Sequence, residues 1–124
     1  MYTVDYGRCF LENFKYFPEA DKNKITEFIE HYEDHGLVGL PGRIKNSDNV
    51  DPNDPEFLSK VKYAQEHKLW HYHLGIPNYD ESNSFGDWTS EYLLHYQSVS
   101  LYEIKIVDFD YHPPFSFPES NYLT

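Results

Sequence analysis

The 124-residue sequence predicts an α+β fold in the order β-α-α-β-β-β, with two helices packed on one face of a largely antiparallel sheet. Three observations carry this. Apolar residues recur at helical spacing in two segments before residue 68, and the period changes to two from residue 69 onward. The short connection Ser98-Val99-Ser100 then joins two alternating segments across a gap of hairpin size. A run of strands after a run of helices places the helices together rather than between parallel strands.

The opening TVDYGRCFL alternates Val4 and Tyr6 with Thr3 and Asp5 and reads as a first strand. In FPEADKNKITEFIEHYEDHG, Ile25, Phe28, Ile29 and Tyr32 fall at i, i+3, i+4 and i+7. Pro18 suits the first turn of that helix and Gly36 the residue just past its end. LVGLPGRIKNSDNVDPN reads as a long loop punctuated by Gly, Pro, Asn and Asp. A second helix follows, with Asp54 as N-cap, Pro55 at its first position and Phe57, Leu58, Val61 and Ala64 as its apolar stripe. The segments 69–76 (LWHYHLGI), 90–97 (SEYLLHYQ) and 101–109 (LYEIKIVDF) are three strands. The tail 112–124, with three prolines, reads as irregular, and residues 1–124 as a single domain long enough to build a core without disulfides.

Alternation sorts the strand side chains into two sets. Trp70, Tyr72, Leu74, Ile76, Tyr92, Leu94, Tyr96, Tyr102, Ile104 and Ile106 make the face toward the helices. His71, His73, Glu91, His95, Gln97, Glu103 and Lys105 collect on the other. A three-residue loop at 98–100 pairs Gln97 with Leu101, which sets His95 opposite Glu103 and Leu93 opposite Lys105. A carboxylate beside His95 favours its imidazolium, which suits a general acid.

Lys and Arg number 10 against 21 Asp and Glu, a net charge of −11, and Lys105 is the one basic residue after Lys68. An ordinary nucleic-acid binder leans the other way, because phosphate contacts need cations. Cys9 is the single cysteine, which excludes an intrachain disulfide and a paired-cysteine metal site and implies a reducing, cytoplasmic setting. No apolar run approaches a membrane span and no signal-peptide pattern opens the chain, so no membrane partner is expected.

Three segments carry a resemblance: ITEFIEHYEDHGLVGLPGRIKNSD, KLWHYHLGI and TSEYLLHYQSVSLYEIKIVDFDYHPPF. They comprise a helix ending at a Gly turn, a Gly-Arg loop, a His-x-His-Leu strand, an acidic-aromatic strand and a last strand running into a Pro/His segment. In order and spacing, over roughly residues 25–115, the chain resembles the YafO toxins of the RelE-like type II toxin–antitoxin superfamily. The resemblance implies a RelE-like fold and a ribosome-dependent, metal-independent mRNA interferase that needs no cofactor and inhibits translation. It also implies the ribosome with its mRNA, and a cognate antitoxin protein, as partners. The charge of −11 departs from the basic character such toxins usually have.

RNA cleavage without a metal needs a base for the 2′-hydroxyl proton, an acid for the leaving 5′-oxygen and a cation for the charged phosphorane. Histidine suits both proton roles. His71, His73 and His95, with Glu103, are the candidates, and Lys105 or Arg43 the electrostatic stabiliser. Arg43, Lys45, Lys60 and Lys62 would have to cluster beside the sheet to bind RNA. Two other readings stay open: a metal site in which Glu91 or His95 joins His71 and His73, and a non-enzymatic acidic interaction or inhibitor protein with a toxin-like fold. Basic residues around the histidine face favour the enzyme; carboxylates lining it favour the interaction protein. His31 and His35, near a helix C-terminus, read as structural, and Trp70 and Tyr72 as core. His112 either reaches the sheet edge or anchors a loop. Phe85 and Trp88 pack under their loop or stack on a base, and Asp80, Glu81 and Asp87 read as solvated.

Overall fold

The computed structural model describes residues 1–111 and 116–124; the expectations for His112 and for the first residues of the tail lie outside them. Along the described chain come β1 (Thr3–Tyr6), α1 (Arg8–Phe14), α2 (Glu19–His35), β2 (Ile44–Asn46) and α3 (Phe57–Glu66). Then follow β3 (Leu69–His73), β4 (Tyr92–Ser100), β5 (Glu103–Tyr111) and a short 3₁₀ turn at Ser120–Leu123. The fold is α+β, but the predicted order is corrected to β-α-α-β-α-β-β-β. Each of the six predicted elements has a counterpart, but the first strand ends at Tyr6 and residues 8–11, predicted as its continuation, belong to the helix α1, while β2 arises within the predicted long loop. Residues 116–119 are irregular, as expected of the tail, whereas the last turn is not.

Gly7, just past β1, is buried against Tyr122: a Cβ there would meet the Tyr122 carbonyl oxygen at 2.9 Å. α1 then buries Phe10. In α2, Glu19 and Asp21 sit in the first turn, where the dipole favours anions. Ile25, Phe28 and Tyr32 are its buried stripe, and Gly36, at φ +68°, gives its N–H to the Tyr32 carbonyl at 2.8 Å. α3 begins later than predicted. Asp54, Pro55 and Glu56 form a turn before it, in which Asp54 accepts the Glu56 N–H at 2.8 Å.

The five strands order as β1-β5-β4-β3-β2, with β1 parallel to β5 and every other pair antiparallel. The three predicted strands are thus adjacent and antiparallel. The register of the last two differs from expectation. β4 runs on to Ser100 and reverses over Leu101 and Tyr102, with irregularities at Val99 and Val107, so His95 faces Asp108, Leu93 faces Asp110 and Gln97 faces Lys105. Glu103 lies at the turn, paired with Ser100 and with Thr3.

The helices do not share a face. Phe10, Ile25, Phe28 and Tyr32 of α1 and α2 pack on Tyr72, Leu94, Tyr96, Ile104 and Ile106. Ala64 of α3 packs instead with Leu69 and Val107, and alternation sets Leu69 on the opposite face from Trp70 and Tyr72. The predicted stripe of α3 explains the difference. Leu58 is 80% exposed and Ala64 is the one fully buried residue of the helix, so a single small contact decides where it docks. Burying an aliphatic side chain such as Leu69 is worth roughly 1.5–3 kcal/mol. α3 therefore covers one end of the histidine face.

Candidate functional site

β2 is the element that builds the site. Ile44 turns toward the main core, which leaves its polar neighbours on the other face. In register, Lys45 lies opposite His71, and His71 lies opposite His95 on its other side. Ser47 extends this edge through its N–H to the Leu69 carbonyl at 3.0 Å. Close approach of the two edges depends on Gly42, where a Cβ would fall 2.1 Å from the His73 carbonyl oxygen.

The connection between β3 and β4 makes the opposite wall. Arg43 gives its N–H to the Trp88 carbonyl at 2.8 Å, and Asp80 pairs with Thr89. The Tyr79 hydroxyl lies 2.8 Å from the His73 carbonyl and 2.8 Å from the Tyr72 hydroxyl. Burial first, and then the Tyr72 bond, push the Tyr79 phenol well above its ordinary range, so it is a neutral structural clamp. Trp88 packs edge-on against Phe85 and tilted against Tyr79, under the loop.

Between these walls lies a cleft of about 640 Å³, lined by Arg43, Lys45, Ser47, His71, His73 and Glu91 among others. The His71 and His73 rings are 6.2 Å apart, and those of His71 and His95 6.1 Å apart. His71 Nδ1 is 2.9 Å from the Ser47 hydroxyl. His73 Nδ1 is 3.0 Å from both the N–H and the carbonyl of Ser90, so each of its neutral tautomers has a partner. The histidines are not exposed, contrary to the expectation of an open polar face: His71 is 8%, His73 6% and His95 1% accessible.

Of the residues singled out in the sequence, His71, His73, Arg43, Lys45, Asp80 and Glu91 come together here. His95 shares the face but does not line the cleft. Glu103 and Lys105 stand apart from it. The register shift carries Glu103 away from His95 and beside β1, and Lys105 Nζ donates to the Leu123 carbonyl at 3.2 Å, tying down the chain end. Lys60 borders an adjoining cavity that shares Ser47 and Asn49 with the cleft, and is bound to Asp54 at 2.6 Å. Lys62 is exposed, 3.8 Å from Glu66. His31 Nε2 lies 2.6 Å from the Val38 carbonyl, a structural tie.

The cleft is electrostatically mixed. Asp80 and Glu91 line it, and Asp87 holds Arg43 through Nε–Oδ1 at 2.6 Å. The Arg43 bond, helped by Lys45 and His73, keeps the Asp87 carboxyl below its ordinary range. Asp87 is therefore a partner of the site rather than a merely solvated residue. Among the described residues no three His, Cys, Asp or Glu side chains are grouped to share a metal ion, which separates Glu91 and His95 from any His71–His73 ligand set.

Ser47 and Ser90 are the site residues that sequence reasoning missed, and Asp80 and Asp87, read as solvated, belong to the site as well. The polar alternation Arg43, Lys45, Ser47 about Ile44 was the one available signal for β2. Comparison with protein-family models, with curated proteins and with solved structures finds no match. No helix among the described residues is long and apolar enough to cross a membrane.

Proposed function

We propose that the chain is a single-domain RelE-like toxin of the YafO type, a ribosome-dependent endoribonuclease that cleaves translated mRNA in the cytoplasm and is neutralised by a cognate antitoxin. The observation that carries this reading is the meeting of His71 and His73 with Arg43 and Lys45 in one cleft. The resemblance of segments 25–115 supplies the substrate class.

With Nδ1–H given to the Ser90 carbonyl, His73 Nε2 carries the lone pair a general base needs. It takes the 2′-hydroxyl proton while the 2′-oxygen bonds to phosphorus. The P–O5′ bond breaks, and the imidazolium returns that proton to O5′. The products are a 2′,3′-cyclic phosphate and a 5′-hydroxyl. Arg43 and Lys45 face the charge that builds on the phosphorane, a role taken from Lys105 by its bond to Leu123.

The carboxylates Asp80 and Glu91 on the cleft, with Asp87 on Arg43, favour the second reading: a binding protein that meets a basic partner. Expression of the wild type beside His73→Ala separates the two. The enzyme reading predicts growth arrest with mRNA cleavage for the wild type and neither for the variant. The binding-protein reading predicts intact mRNA in both.

A further inference from the structure

His71 and His73 sit on one strand face in one cleft, yet their Nδ1 atoms are held differently. Ser90 offers His73 both a donor and an acceptor. Ser47 offers His71 one hydroxyl at 2.9 Å, from a side chain only 3% accessible. The Ser47 backbone is held by its N–H to the Leu69 carbonyl and by β2 immediately before it. Among the described residues His71 Nδ1 is the single hydrogen-bond partner of that hydroxyl. A buried O–H that gives up its one acceptor loses a bond without compensation. The hydroxyl is satisfied when it donates to Nδ1, and Nδ1 accepts only when the ring proton is on Nε2. Moving a proton onto Nδ1 would turn the hydroxyl into an acceptor and strand its hydrogen.

We infer that Ser47 is a positioning residue that keeps His71 as the neutral Nε2–H tautomer, a fixed hydrogen-bond donor to the phosphate, and leaves proton exchange to His73. The inference deepens the RNA-cleaving reading and rests on it for the identity of the bound group. A neutral imidazole donor adds no charge and needs no reorganisation as negative charge develops. It also explains how two neighbouring imidazoles divide the work: the one whose Nδ1 faces the Ser47 hydroxyl binds, and the one whose Nδ1 meets both a donor and an acceptor on Ser90 turns over.

The experiment is nitrogen-15 NMR of histidine-labelled full-length protein, with His71 assigned by loss of its signals in His71→Gln. In the wild type His71 should show a protonated Nε2 and an unprotonated Nδ1 at neutral pH. Ser47→Ala should move it toward a mixture carrying the proton on Nδ1, and Ser47→Thr should restore the wild-type pattern. mRNA cleavage should fall in Ser47→Ala by up to about 10²-fold, the scale on which misplacing a reacting group acts, and recover in Ser47→Thr. A wild-type His71 protonated on Nδ1 overturns the inference without any variant having to fold, and so does a Ser47→Ala spectrum identical to the wild type. If the wild type cuts no RNA, the functional reading fails, while the nitrogen shifts still decide the tautomer.

Discussion

His73 shows how far a single residue can be understood from its neighbours. Its place on the polar face follows from alternation in LWHYHLGI, so it was legible in the sequence; its Ser90 partner, seventeen residues on, was not, because a polar connection of that length has no periodicity to place it. Asp108 was hidden for a related reason. The chain reverses at Leu101 and Tyr102 rather than over 98–100, and with the irregularities at Val99 and Val107 this brings Asp108, rather than Glu103, opposite His95. Burial raises the Asp108 carboxyl from 3.8 to about 6, and Asp110 and Glu119 add to the rise. Between those two values the folded chain keeps a proton that the unfolded chain has released. The contribution of Asp108 to stability is thus intact at acid pH, is lost as pH rises through that window, and stays lost above about pH 6. At about 1.4 kcal/mol per unit, the difference approaches roughly 3 kcal/mol. Urea unfolding of wild type and Asp108→Asn at several pH values checks this: the variant should gain on the wild type as pH rises from about 4 to about 6 and hold that gain above. A constant difference across the window would contradict it.

At the scale of elements, the long signals were readable and the short ones were not. α2 carries four apolar residues at helical spacing and a Gly stop, and the three C-terminal strands alternate over eight or nine residues. β2 has three residues, too few for a period to register, and it sits among Gly, Pro and Asn that read as loop. The side on which α3 docks was illegible because its apolar stripe is narrow, so tertiary contact with Leu69 and Val107 decides the matter. That contact can be tested. Leu69 is fully buried away from α1 and α2, and Leu69→Ala should destabilise the chain by about 2–5 kcal/mol, the range for a buried leucine. Denaturant unfolding measures the loss, and hydrogen exchange should show α3 opening more readily than α2. A loss below about 0.5 kcal/mol would mean that α3 does not pack as described.

For the whole molecule the charge of −11 is the constraint that shapes the functional account. Two cations on the cleft against three nearby carboxylates give little long-range attraction for naked RNA, and phosphate affinity is largely a matter of cations. On the proposed function, the charge requires that another body present the RNA, and the ribosome is the body the resemblance implies. The same charge suits an antitoxin with a basic binding segment. The most direct test of the central claim, that the His71–His73 cleft cuts RNA, is the rate of cleavage of one mRNA in a translating extract by purified wild type and His73→Gln. Because His73 is buried, both proteins are first compared by thermal unfolding. Losing the proton-transfer group should slow cleavage by roughly 10²–10⁴-fold in a variant that still folds. Equal rates for the two proteins, or an mRNA left intact by the wild type, would contradict it.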